Sequence, residues 1–67
     1  MYKILAINKS EGVIHTQDNV EEKDLEQIKG IISALTQCEI ITVFRSNGIH
    51  VSQEYAEGLR NKITVQA

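Results

Sequence analysis

The spacing of apolar residues changes along the chain, and each change predicts a new element. From Tyr2 to Asn8 the run Ile4-Leu5-Ala6-Ile7 is apolar without alternation. That is the pattern of a strand covered on both faces. Asn8-Lys9-Ser10-Glu11-Gly12 predicts a turn, with Gly12 free to take positive φ. Val13-Ile14-His15-Thr16-Gln17 is rich in β-branched residues and predicts a returning strand, so the two form a hairpin.

The rhythm then becomes helical. Leu25, Ile28, Ile32 and Leu35 recur at helical spacing, while Glu22, Lys23, Glu26 and Lys29 fill the other side. Asn19 followed by Glu22 matches a capping box, and Glu21, Glu22 and Asp24 lie where the helix dipole favours acids. A helix over 19–36 is predicted, with Leu25, Ile28, Ile32 and Leu35 buried. Gly30 costs about 1 kcal/mol against alanine there and points to close packing.

Glu39 to Arg45 predicts a third strand, again apolar on both faces through Ile40-Ile41-Thr42-Val43-Phe44. Ser46-Asn47-Gly48 is a turn. A two-residue loop would pair Phe44 with Val51 and mix polar and apolar residues on each face. A three-residue loop with Gly48 as a bulge pairs Val43 with Val51 and Ile41 with Gln53, and collects Ile41, Val43, Ile49 and Val51 on one face. The second register is expected. Beyond it, Ser52-Gln53-Glu54 resembles a helix start, with Tyr55, Ala56 and Leu59 on one side of a short helix ending near Asn61. The alternative continues strand four through Ala56 and leaves 57–61 as a loop. Lys62-Ile63-Thr64-Val65-Gln66 alternates and predicts a last strand.

The order β-β-α-β-β-(short α)-β describes a single α+β domain over 1–67. It has a small mixed or antiparallel sheet and one main helix on one face. Two strands with apolar residues on both faces need more cover than one long helix offers. Ile40 and Phe44, with two residues of strand one, are left on the far face. The segment around Tyr55 and Leu59 covers part of it, and a second subunit would cover the rest. Ile40, Phe44 and Tyr55 are therefore the candidate interface.

Composition narrows the possible chemistry. A chain of 67 residues builds a thin core and gains from a disulfide, a metal or a second subunit. Cys38 is the sole cysteine, which excludes an internal disulfide and fits a reducing compartment, so a cytoplasmic location is expected. His15, Cys38 and His50 stand singly, without the spacing of a zinc module. No residue is assigned a catalytic, cofactor-binding or metal-ligating role, and no cofactor is expected. The net charge is −2, and the basic residues are spread along the chain rather than clustered, which disfavours a nucleic-acid partner. No apolar run is long enough to span a bilayer.

Lys3-Ile4-Leu5-Ala6-Ile7-Asn8, with Ser10 and Gly12, faintly resembles the first phosphate hairpin of the acetate and butyrate kinases. Lys9 replaces the glycine that follows the asparagine in that family, and the serine run is missing, so no kinase function is carried over. Arg45, Asn47 and His50 flank an exposed hairpin tip and form a candidate partner contact. The expectation is a small interaction protein, a regulator or inhibitor acting through protein–protein contacts as a homodimer. The alternatives are an enzyme whose site forms between subunits from His15, His50 or Cys38, and a weak nucleic-acid binder.

Overall fold

The computed structural model describes the backbone of residues 1–65 and the surroundings of side chains up to residue 61. Strands β1 (Tyr2–Asn8) and β2 (Gly12–Val20) form the first hairpin, and a single 3₁₀ turn (Glu22–Asp24) leads into helix α1 (Leu25–Thr36). Strands β3 (Ile40–Arg45) and β4 (His50–Tyr55) form the second hairpin, and α2 (Ala56–Val65) follows directly. The four-stranded sheet is antiparallel throughout, in the order β2-β1-β3-β4. Both helices contribute to one core, so the architecture is α+β with helices on one face.

Strand register decides what that core contains. Ile4 pairs with Val43 and Ala6 with Ile41 across β1 and β3, and all four are fully buried beneath the helices. Tyr2, Val20, Ile32, Cys38, Ala56 and Leu59 complete the buried apolar set. Each apolar side chain removed from water in this way contributes roughly 1.5–3 kcal/mol. Glu39 ties the corner below the core. Its N–H donates to Ile7 O (3.1 Å) and Asn8 Oδ1 (2.9 Å), while Lys9 N–H donates to its Oε1 (2.6 Å) and Ala56 N–H to its carbonyl (2.9 Å).

Helix α1 starts six residues later than its capping pattern predicts. Val20 is buried and paired with Tyr2, which keeps β2 extended through the predicted cap. Asn19 adopts a left-handed backbone (φ 58°) at a register shift in β2, using asparagine's tolerance of that region for a bulge rather than a cap. Leu35, expected in the core, is 79% exposed. At about 100° per residue it lies roughly a quarter-turn from the inward line of Leu25, Ile32 and Thr36. Lys29, expected in solvent, lies close to that line and is buried.

The second hairpin keeps the predicted loop but changes register deeper in. Arg45 N–H donates to Ile49 O (2.8 Å) and Gly48 N–H to Arg45 O (2.8 Å), closing a three-residue loop with Gly48 at φ 94°. Phe44 pairs with His50, after which a bulge at Val51 shifts the strand by one residue. Val43 then pairs with Ser52 and Ile41 with Glu54, in place of the predicted Val51 and Gln53. Ile49 and Val51 remain exposed. Because side chains alternate, the single extra residue turns Ser52 and Glu54 toward the helices and Gln53 and Tyr55 away from them.

The predicted last strand over Lys62–Gln66 is overturned by α2, which extends to Val65; Gln66 lies outside the described residues. Ala56 and Leu59 bury one side of the first turn of α2, and no proline or glycine between Asn61 and Val65 stops the helix. Ser52–Glu54 continues strand four instead of starting a helix; the strand ends at Tyr55, one residue short of the alternative reading, and Ala56 opens the helix that replaces its loop.

Candidate interaction face

On β1 and β3 the residues between the core positions turn to the face opposite the helices. In register these are Lys3 with Phe44, Leu5 with Thr42, and Ile7 with Ile40. Strand β4 adds Gln53 beside Thr42 and Tyr55 beside Ile40, and β2 adds Thr16 beside Leu5 and Val13 beside Ile7. Leu5, Ile7, Ile40 and Phe44 are half-buried by their neighbours, while Tyr55 is 73% exposed and Val13 is also open. Both helices of the chain pack on the other side.

Ile40, Phe44 and Tyr55 thus meet on one face. Of the hairpin-tip residues, only His50 joins them. Its ring packs edge-on against Phe44, with centroids 5.3 Å apart and planes at 66°. Arg45 turns to the helix side, where its guanidinium carbon lies 5.7 Å from the Tyr2 ring centre. Asn47 Oδ1 accepts from Ile49 N–H at 3.2 Å and supports the loop itself.

Thr42 at the centre of this face was not singled out by any sequence pattern. It is 4% exposed, and its Oγ1 has no hydrogen-bond partner. A threonine in a strand is unremarkable by type, and only the pairing of its neighbours makes it an orphan. Next to it lies a shallow hollow of about 110 Å³ lined by Ile40, Gln53, Glu54 and Tyr55. At one end of this face Lys3 and Asp18 lie 3.8 Å apart as an exposed ion pair.

The strongest electrostatic feature belongs to the other face. The Lys29 ammonium, with its side chain 5% exposed, bonds Glu26 Oε2 (2.8 Å) and Glu54 Oε2. Burial alone pushes its pKa down, but the hydrogen bonds and charges of the two carboxylates outweigh burial and hold it above the ordinary lysine value. This pair fastens α1 to β4.

A second hollow, about 260 Å³, opens at the corner between Lys9, Glu39, Tyr55, Glu57 and Arg60. Its charges are of mixed sign, and Arg60 Nη1 already donates to the carbonyls of Ser33 (3.1 Å) and Cys38 (2.9 Å) at the end of α1. Cys38 is buried. His15 and His50 stand on β2 and β4, the opposite edges of the sheet, so one chain does not gather the three residues. Among the described residues no group of three or more His, Cys, Asp or Glu could hold a metal ion, and no helix is long and apolar enough to cross a membrane. No protein-family model, curated protein or solved structure matches the chain.

Proposed function

We propose that this chain is a small interaction protein, a regulator or inhibitor working through protein–protein contact, with the open sheet face as its working surface. The observation that supports this is the sharing of one uncovered face by Leu5, Ile7, Ile40 and Phe44. Soluble monomers rarely leave contiguous apolar patches of more than a few hundred Å² exposed unless the patch is used. The centre is depleted of charge and carries an aromatic anchor at its rim, which matches the composition of protein interfaces. The scattered basic residues supply no phosphate-binding stripe. A lone, buried, free cysteine favours a cytoplasmic setting.

The test uses the wild-type chain and Tyr55→Asp as baits in extracts of the source cells. Aspartate is well tolerated immediately before a helix, so the variant should melt with the wild type. The wild type should retain one stoichiometric protein that the variant loses. Identical retention by the two baits would overturn the assignment of the face.

A further inference from the structure

We infer that Asn47 is a self-modification site, at which the tip of the second hairpin converts its own asparagine to aspartate and isoaspartate. The inference goes beyond the interaction reading and does not depend on it. The chain has four asparagines, and the residue after each decides its chemistry. Reaction requires the next backbone nitrogen to reach the side-chain amide carbon, and a side chain on that next residue hinders the approach. Asn8 and Asn61 precede lysines, and Asn61 lies within α2. Asn19 precedes Val20, which is β-branched, buried and paired with Tyr2. Only Asn47 precedes a glycine, and residues 45–50 around it are all exposed.

Two hydrogen bonds at the tip act in opposite directions on this reaction. Ile49 N–H donates to Asn47 Oδ1 at 3.2 Å, which draws electron density from the amide carbon and makes it more electrophilic. Gly48 N–H donates to Arg45 O at 2.8 Å, and that same nitrogen is the nucleophile. It must lose its proton to hydroxide or another base before it attacks, so the bond to Arg45 has to open first. The Gly48 nitrogen then bonds to Asn47 Cγ, the Cγ–Nδ2 bond breaks, and ammonia leaves with a proton taken from solvent. Water hydrolyses the resulting five-membered imide. Cleavage between Cγ and the nitrogen gives aspartate, and cleavage between the backbone carbonyl carbon and the nitrogen gives isoaspartate. Aspartate keeps an acceptor for Ile49 N–H and takes the net charge one unit below −2. Isoaspartate adds a methylene to the main chain of a loop that the Arg45–Gly48 and Arg45–Ile49 bonds hold closed. That end of the β3–β4 ladder then opens and draws His50 away from Phe44.

The test incubates the whole chain at mildly alkaline pH, folded or in guanidinium chloride, and maps its peptides by mass spectrometry. Asn47 should convert in the folded chain to both products while Asn8 and Asn19 stay intact. Conversion in the fold should be roughly tenfold slower than in denaturant, the factor that a modest local opening cost imposes. Phe44→Ala removes the packing beside the loop and should narrow that gap, with circular dichroism confirming that the variant is folded. Asn47→Gln should leave the tip unmodified, because its longer amide closes a six-membered ring poorly. Asn47→Asp should accumulate isoaspartate without a change of mass, since it passes through the same imide. A folded chain with Asn47 intact after the denatured chain has converted fully overturns the inference. So does conversion of Asn8 or Asn19 as fast as Asn47. Equal rates in the fold and in denaturant overturn the control by the Arg45–Gly48 bond.

Discussion

Ile41 and Val43 lose all their exposure beneath the helices, whereas Ile40 and Phe44, in the same strand, stay half-exposed on the other side. The residue types are closely matched, so the contrast comes from what the chain lays over each face. Helices α1 and α2 cover one side and convert its apolar residues into a core. The other side has equally apolar strands and no layer of its own. Burial is a property of the pair of layers, and here the chain supplies only one pair.

The largest effect that would sharpen this contrast is at the covered face. Ile41→Ala should lower unfolding free energy by about 2–5 kcal/mol, because the removed atoms leave a cavity between strands and helices. Phe44→Ala, measured by urea unfolding, should lower it by about 1 kcal/mol, since a half-exposed side chain loses less on truncation. Equal losses would show that the two faces are equally buried in solution and break the comparison.

The next effect concerns the charged margin of the covered face. Glu54→Ala should cost about 2–4 kcal/mol because the Lys29 ammonium stays buried with only the exposed Glu26 beside it. Lys29→Met should fall within about 1 kcal/mol of wild type, as it removes the desolvated charge together with its need for a partner. The raised Lys29 pKa also sets a pH window. A lysine whose pKa is raised in the fold adds stability that is complete below its unfolded pKa and disappears as pH rises through the folded value. The contribution should therefore hold from neutrality to about pH 10 and fade above it. The urea midpoint of the wild type should fall relative to that of Lys29→Met only in that alkaline range.

The smallest effect is at the centre of the open face. Thr42→Val should raise stability by about 1 kcal/mol, since it replaces a buried hydroxyl without a partner by a methyl group of similar shape. A loss of similar size in calorimetry would mean the hydroxyl is bonded in solution.

Features written locally were legible in the sequence, and features imposed from a distance were not. Asn47-Gly48 specifies a turn by its own backbone preferences, and the loop closes as those preferences dictate. Ile40 and Phe44 on the far face follow from strand alternation alone. The bulge at Val51 has no such marker. Without it Gln53 would turn toward the helices and Glu54 away, so its value lies in bringing Glu54 to a lysine 25 residues earlier. Asn19 carries a genuine local signal, but cap and left-handed bulge share the same residue preference, and the burial of Val20 decides between them. For the same reason the aromatic contact of His50 with Phe44 and the orphan hydroxyl of Thr42 become visible only once the strands are paired.

The irregular edge strands bear on how far assembly can proceed. Both borders of the sheet are interrupted, β2 by two register shifts and β4 by the one at Val51. A straight border invites addition of strand after strand, and such growth has no natural end because each added chain presents a fresh border. A broken border is a poor template, so the bulges work against strand-by-strand growth at either edge of the sheet.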